Sequence, residues 1–117
     1  MKIKVGDIFY DDSGIASFYQ VVQVYKSGRV RIREIEKIET PTKCGYEFEA
    51  VPVPNKFKAK VEDEKVDRFT RIKDNDKGAI KVVQEYNGRY YIDFYVGSAY
   101  LYEGKKVISS YWSVWMR

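Results

Sequence analysis

Histidine is absent from this chain of 117 residues, and cysteine occurs once, at Cys44. Without histidine there is no Ser-His-Asp or Cys-His nucleophile system and no HExxH zinc site. A single cysteine excludes an internal disulfide and a zinc finger, and it is typical of a reducing compartment. The P-loop, GxGxxG and GxSxG motifs are missing too. These absences therefore exclude most of the common catalytic sites.

Long apolar runs and helical periodicity are also missing. The chain has no apolar stretch of about 18 residues, and its start, MKIKVGDIFY, contains no apolar signal segment. We therefore expect a cytoplasmic protein with no membrane contact. No window places apolar residues at i, i+3, i+4 and i+7, so helix is expected to be minor.

Aromatic and charged residues are abundant instead. Aromatic residues make up 16% of the chain, with 11 tyrosines, and 44% of all residues are hydrophobic. This is enough apolar material for one domain to fold without disulfides or metal, and we expect a single domain over 1–117. The 21 basic and 17 acidic residues leave a formal charge of +4, which attracts anionic partners only weakly.

Apolar and polar residues alternate along most of the chain, as they do in β-strands. Strands are predicted at 8–10, 17–25 and 29–36, with Gly28 at positive φ in the turn between the last two. Asn87-Gly88 predicts a hairpin over about 79–96, and the Glu103–Lys105 region predicts another. Prolines place YEFEAVPV at a sheet edge or a bulge. Residues 56–73 are interpreted as one or two strands, with a short helix around 61–68 as the alternative.

Short strands with frequent turns predict a mainly β fold. We expect an SH3-like, partly open barrel or a β-sandwich of about seven antiparallel strands with little helix. The opening VGDIFY, followed by a hairpin and then VRIREI, resembles the first strands of SH3-like barrels. The choice between barrel and sandwich stays open.

Four segments carry a second resemblance. VGDIFY, FYQVVQV, VRIREI and SAYLYEGKKVISSYW together resemble a group of small proteins from bacteriophages and mobile elements. In that group a GDI-x-Y opening, an FYQVV strand and a late A-Y-L-[YW]-[DE]-G-K hairpin recur, although the loop DDSGIAS lacks the group's Trp-Gly-Tyr stretch. The resemblance implies an origin on a mobile element and a host or phage protein as partner, for example in the inhibition of host defence. It supplies no catalytic residue.

A row of basic residues follows the first predicted hairpin turn. Arg29, Arg31 and Arg33 share one face of the strand while Val30 and Ile32 take the other. Cations beside stacking rings are what single-stranded nucleic acid or a phosphate backbone uses, whereas the alternative is an ordinary solvated face. The candidates for nucleic-acid binding are Arg29, Arg31, Arg33, Lys56, Lys58, Lys60, Tyr19 and Tyr25.

Aromatic residues are concentrated late in the chain, where nine fall between positions 90 and 115. Because side chains alternate along a strand, both faces of these strands carry rings. One face is core, and the other is a candidate surface for a protein partner or for self-association. A sandwich that buries both faces is the alternative. The protein-interface candidates are Tyr95, Tyr100, Tyr102, Tyr111, Trp112 and Trp115.

Carboxylates are the remaining route to catalysis. Asp93 with Glu103 and Lys105 has the residue types of a magnesium nuclease site, but Gly104 places the pair in a turn, where solvated side chains are the usual case. We therefore expect no enzyme, no metal and no cofactor. The leading hypothesis is a binding module that acts on a host or phage protein. Nucleic-acid binding is the alternative, and a magnesium nuclease is the second alternative.

Overall fold

The computed structural model describes residues 2–43, 45–58, 78–94 and 97–111, and these residues form nine β-strands. The strands are β1 (Ile8–Asp11), β2 (Ser17–Val24), β3 (Arg29–Pro41), β4 (Glu47–Phe57), β5 (Ala79–Val82), β6 (Gln84–Tyr86), β7 (Arg89–Asp93), β8 (Ser98–Leu101) and β9 (Val107–Ser110). Within these ranges there is no helix, and so none long and apolar enough to cross a membrane. The predicted mainly β fold is confirmed.

The two hairpins with clear turn signals form where the sequence predicts them. Gly28, at φ +84°, closes the turn between β2 and β3, and these strands pair antiparallel. Asn87 and Gly88, at φ +51° and +78°, form the turn between β6 and β7. Positive φ at both central residues is what a two-residue hairpin turn requires, because it matches the twist of the flanking strands.

The strands belong to one antiparallel sheet in the order β6-β7-β8-β1-β2-β3-β4-β9, and β5 pairs with β3 off this path. The first half of β3 pairs with β5 and the second half with β4. Only Val83 separates β5 from β6, which pairs with β7. This bent segment links β3 to β7, so the sheet curls without closing.

A single sheet buries both of its faces. The inner core lies within the curl, and the outer core lies on the opposite face, beneath β4 and β9. Neighbouring residues such as Phe18 and Tyr19 enter different cores because side chains alternate along a strand. The inner core contains Ile3, Phe9, Tyr19, Val21, Val30, Ile32, Ile92, Phe94 and Ala99. The outer core contains Ile8, Ala16, Phe18, Ile35, Ala50 and Val107.

The hairpin predicted around Glu103–Lys105 is wrong. β8 pairs with β7 on one side and with β1 on the other, whereas β9 pairs with β4. Gly104, at φ +93°, does turn the chain between the two strands. With both edges of β8 already occupied, β9 must cross to a different part of the sheet.

The edge position predicted for YEFEAVPV is wrong for the first part of β4, whereas its pairing with β3 does shift register between Pro52 and Phe57, as the alternative of a bulge predicts. Residues 47–50 pair with β9 on one side, and β3 lies on the other. Pro52 and Pro54 fall outside the stretch that β9 covers, where a missing N–H costs no ladder hydrogen bond on that side. The strands predicted for 56–73 lie outside the described residues beyond Lys58.

Gln20 is a buried polar side chain, 4% exposed, that ties β2 to the end of β4. Its Nε2 donates to Asn55 Oδ1 at 2.9 Å, and its Oε1 accepts the Asn55 backbone N–H at 2.7 Å. Asn55 is at φ +66°. Two reciprocal hydrogen bonds therefore hold a left-handed residue in place.

Gln20→Ala is expected to lower the free energy of unfolding by about 2 kcal/mol, because it removes two hydrogen bonds worth roughly 1 kcal/mol each. Urea unfolding measures this loss. Asn55→Gly is the matched control, since it accepts positive φ and keeps the backbone bond. It should cost less than Gln20→Ala, and an equal or larger cost would contradict this account of the pair.

Candidate binding surface

A row of tyrosines crosses three strands on the same face as the outer core. The register places Tyr91 of β7 opposite Tyr100 of β8, and Tyr100 opposite Tyr10 of β1. The ring centroids of neighbours in the row are 6.2 and 6.3 Å apart. The next residue across, opposite Tyr10, is the fully buried Phe18. The row therefore extends the outer core to a part of the sheet that solvent reaches.

Arg89 is the charged centre of this row. Its guanidinium carbon lies 4.1 Å from the centroid of the Tyr100 ring, and its Nη2 donates to the Tyr10 hydroxyl at 3.3 Å. Arg89 is exposed, and the ion pairs within the described ranges do not include it. Stacking on a ring and one hydrogen bond thus fix the direction of an arginine that carries no carboxylate partner there.

Two further tyrosines complete the surface. Tyr86, opposite Arg89 in the β6–β7 hairpin, is 71% exposed. Tyr102 lies edge-on to Tyr10, with centroids 6.2 Å apart, and edge-on to Phe18 at 5.7 Å. We define the tyrosine–arginine surface as Tyr10, Tyr86, Arg89, Tyr91, Tyr100 and Tyr102.

Two grooves open on the tyrosine–arginine surface, and Arg89 lines both. The first groove has a volume of about 350 Å³, and the second about 530 Å³. Asp12, Glu103 and Lys105 contribute charges to the first groove, and Asp93 contributes one to the second. Counting Arg89, each groove balances its positive and negative charges. The surface is therefore aromatic and close to neutral rather than strongly basic.

Asp93 is already satisfied at the rim of the second groove. Its Oδ1 accepts the Ser98 hydroxyl at 2.6 Å, and its Oδ2 accepts the Gln84 side-chain amide at 2.8 Å. The Tyr91 hydroxyl in turn donates to Gln84 Oε1 at 3.3 Å. This chain of hydrogen bonds holds the wall of the groove.

The structure brings together only part of the predicted protein interface. Tyr100 and Tyr102 belong to the tyrosine–arginine surface. Tyr111 does not, because its ring packs 5.4 Å from Phe48 and its hydroxyl donates to Glu39. The structure does not bring Tyr111 to this surface because β9 pairs with β4 and not with β8. The predicted residues Tyr95, Trp112 and Trp115 lie outside the described residues.

Sequence reasoning missed four members of the surface, namely Tyr10, Tyr86, Arg89 and Tyr91. The Asn87-Gly88 turn contained the signal for two of them, since a two-residue turn places 86 opposite 89. Tyr10 and Tyr91 become neighbours of Tyr100 only through the pairing of β8 with β1 and β7. Nothing in the spacing of the residues predicts that long-range pairing.

The predicted basic face exists on β3. Arg29, Arg31 and Arg33 are exposed or half-buried, while the residues between them are fully buried. Arg31 Nε donates to the Tyr25 hydroxyl at 3.1 Å, and the Arg33 guanidinium lies 4.2 Å from the Phe57 ring centroid. Tyr25 thus flanks the arginines as predicted, and Phe57 supplies a stacking ring that the sequence did not indicate.

Tyr19 does not flank the arginines, so its predicted placement is wrong. It is 3% exposed, and its ring lies 4.8 Å from Phe94 in the inner core. Tyr19 is opposite Glu34, whose side chain points away from the face that carries Arg33. Because β2 is apolar on both faces, its pattern did not indicate which rings face inward.

The lysines predicted to repeat the arginine row do not extend it. Lys58 forms an ion pair with Glu34 at 2.8 Å, and therefore lies on the side of β3 opposite Arg33. Lys56 is exposed near the end of β4. Lys60 lies outside the described residues.

The residues of the nuclease alternative are not brought together. Asp93 pairs with Ser98 at one end of β8, whereas Glu103 lies five residues further along the chain. At about 3.3 Å per residue this separation is roughly 16 Å, too far for two carboxylates to hold one metal ion. Within the described ranges, no group of three His, Cys, Asp or Glu side chains is placed to hold a metal.

Comparisons with known protein families, with curated proteins and with solved structures find no match to this chain. An origin on a bacteriophage or mobile element therefore stays a prediction.

A separate polar cluster surrounds Tyr111. Its hydroxyl donates to Glu39 at 2.6 Å, and Lys37, 3.9 Å from Glu39, also donates to the Ala16 carbonyl. Burial by itself would raise the pKa of Glu39, but the hydrogen bond from Tyr111, the nearby Ser109 hydroxyl and the charge of Lys37 lower it overall. Burial lowers the pKa of Lys37, and the attraction of Glu39, which raises it, offsets only part of this effect. Ionised Glu39 therefore stabilises the fold.

Tyr111→Phe is expected to destabilise the protein by about 2 kcal/mol near neutral pH, because it removes a hydrogen bond to a carboxylate. The lowered pKa of Glu39 gives a stabilisation that is complete above the ordinary value of 4.5 and is lost as the pH falls through the folded-state pKa. The difference from wild type should therefore shrink in acid, as measured by urea unfolding across pH. A difference that stays constant in acid would contradict this assignment.

Proposed function

We propose that this chain is a non-enzymatic binding module that contacts a partner protein through the tyrosine–arginine surface. The observation that supports this most strongly is the exposed Arg89, stacked on Tyr100 and bonded to Tyr10. Tyrosine and arginine are enriched among the residues that dominate protein–protein binding energy. Tyrosine also offers a large contact area for little lost side-chain entropy.

The surface is rigid enough to bind without much rearrangement. Its central tyrosines belong to three strands that are hydrogen-bonded to one another, and Tyr102 also packs on Phe18 in the outer core. A contact surface held in place in the free protein loses less entropy on binding. Given the resemblance to phage and mobile-element proteins, we propose a host or phage protein in the cytoplasm as partner, such as a component of host defence.

Site-specific photo-crosslinking tests this proposal. A benzophenone amino acid at position 86 should crosslink a defined protein in a bacterial host, whereas the same group at position 38 should not. The two positions are matched, because Tyr86 is 71% and Ile38 58% exposed, but Ile38 is on the half of β3 that pairs with β4 and does not belong to the tyrosine–arginine surface. Identical products from both positions, or none from position 86, would refute the proposal.

Nucleic-acid binding by β3 is the second candidate, supported by the shared face of Arg29 and Arg33 and by the Tyr25 and Phe57 rings beside it. In that case Arg29→Glu combined with Arg33→Glu should weaken binding of a mixed oligonucleotide at low salt at least about tenfold. Arg89→Glu is the control and should change it little. Wild-type protein that binds no oligonucleotide at low salt would exclude this candidate.

A further inference from the structure

We infer that Arg89 binds a single carboxylate on the partner protein, and that the two grooves beside it accept uncharged side chains of the same segment. This inference rests on the proposed function, since it names the chemistry of the partner at the tyrosine–arginine surface. It follows from the hydrogen bonding and stacking of Arg89 and from the charged side chains around it.

Arg89 is prepared to bind an oxyanion. A guanidinium has five N–H donors in a planar fork, and in the described parts of the chain Arg89 uses one of them, toward Tyr10. Its stacking on Tyr100 restricts the plane of the fork. A carboxylate matches two parallel N–H donors, and such charge-assisted pairs are about twice as strong as neutral hydrogen bonds.

The charged side chains that line the grooves limit how many negative groups a partner can place on this surface. Among the described residues, the only other positive side chain lining them is Lys105, while Asp12, Glu103 and Asp93 are negative. A nucleic acid would place several phosphates along the surface, so it would meet three carboxylates with only two cations. One carboxylate with uncharged neighbours avoids that repulsion. The local charge therefore favours a protein segment with one central acidic residue over a nucleic acid.

The rings that line the grooves indicate which side chains lie beside the carboxylate in the partner segment. Tyr10 and Tyr102 line the first groove, and Tyr86, Tyr91 and Tyr100 line the second. Rings that line a concave surface bind apolar and aromatic side chains, which also exclude water from the ion pair beside them. An extended segment that crosses Arg89 would place side chains on both sides of it. We therefore expect apolar residues flanking the acidic one.

Peptide pools of defined composition test the inference. Short peptides with random uncharged flanks are synthesised with a central Glu, Gln, phosphoserine or Lys, and their affinities for the whole protein are compared. The Glu pool should bind at least about tenfold more tightly than the Gln pool. This preference should vanish in Arg89→Gln and survive in Arg29→Gln, an equal charge change at another exposed arginine. Circular dichroism checks that both variants are folded.

Each of the other outcomes refutes a specific part of the inference. Equal affinity for the Glu and Gln pools, with binding lost in Tyr100→Ser, would refute the carboxylate inference and leave the protein-binding function standing. A phosphoserine pool that binds much more tightly than the Glu pool would replace the carboxylate by a phosphate. Tight binding of an oligonucleotide that depends on Arg89 would replace the protein segment by a nucleic acid. Absence of binding to every pool would refute the inference, whereas the proposed function is judged by crosslinking at position 86.

Discussion

Replacing Gly78 with alanine is expected to lower the free energy of unfolding by about 3 kcal/mol. Gly78 precedes β5 at φ +75°, where a residue with a Cβ is strained by roughly 1 kcal/mol. The new Cβ would also lie 2.0 Å from the Ile32 carbonyl oxygen and 2.7 Å from Arg33 Cγ. Relief of such a contact requires β5 to move away from β3, and overpacking of this kind costs about 1–3 kcal/mol. Urea unfolding of the purified variant measures the total.

Gly28→Ala is the matched control for this effect. Gly28 has a similar φ of +84°, but a Cβ there would meet nothing within 4 Å. The control variant should therefore lose only the roughly 1 kcal/mol of backbone strain. The difference between the two variants measures the contact between β5 and β3. If both variants lose the same amount, the close approach of Gly78 to Ile32 is wrong.

Phe18→Ala is expected to cost about 4 kcal/mol, the usual range for a fully buried phenylalanine. Phe18 is opposite Tyr10, and its ring lies 5.7 Å from Tyr102, so its loss also removes the support of the tyrosine row. Phe9→Ala is the control, because Phe9 is equally buried but belongs to the inner core. We expect similar losses of stability from both variants in urea unfolding.

The milder variants Phe18→Leu and Phe9→Leu separate stability from binding. Each should keep the fold at a cost of about 1–2 kcal/mol, less than for alanine, because leucine leaves a smaller cavity in the core. Only Phe18→Leu should reduce crosslinking from position 86, because only Phe18 packs against a ring of the surface. An equal reduction by both variants would mean that the outer core does not position the surface.

The local features of this fold could be predicted from its sequence. The alternation of apolar and basic residues along β3 predicted that Val30 and Ile32 lie on the face opposite the arginines. The turns at Gly28 and at Asn87-Gly88 required residues that adopt positive φ. Each of these features depends on residues close together in the chain. Period-two patterns and turn chemistry are sufficient for them.

The candidate site was less predictable because it depends on contacts between distant parts of the chain. Tyr10 and Tyr91 lie on either side of Tyr100 only because β8 is inserted between β1 and β7. Tyr19 and Phe18 are both apolar in a strand that is buried on both faces, so alternation could not assign either to a core. The crossing from β8 to β9 likewise follows from which sheet edges are still unpaired, and a local pattern does not contain that information.

The most direct test of the central claim is a residue-by-residue footprint of the partner. Amide chemical shifts of the labelled protein are compared before and after addition of the protein captured by crosslinking at position 86. The largest changes should fall on Arg89, Tyr91 and Tyr100, with smaller ones on Tyr10. If the changes instead concentrate on the arginines of β3, or on Ile38 and Ile108, the partner binds elsewhere and the tyrosine–arginine surface is not its site.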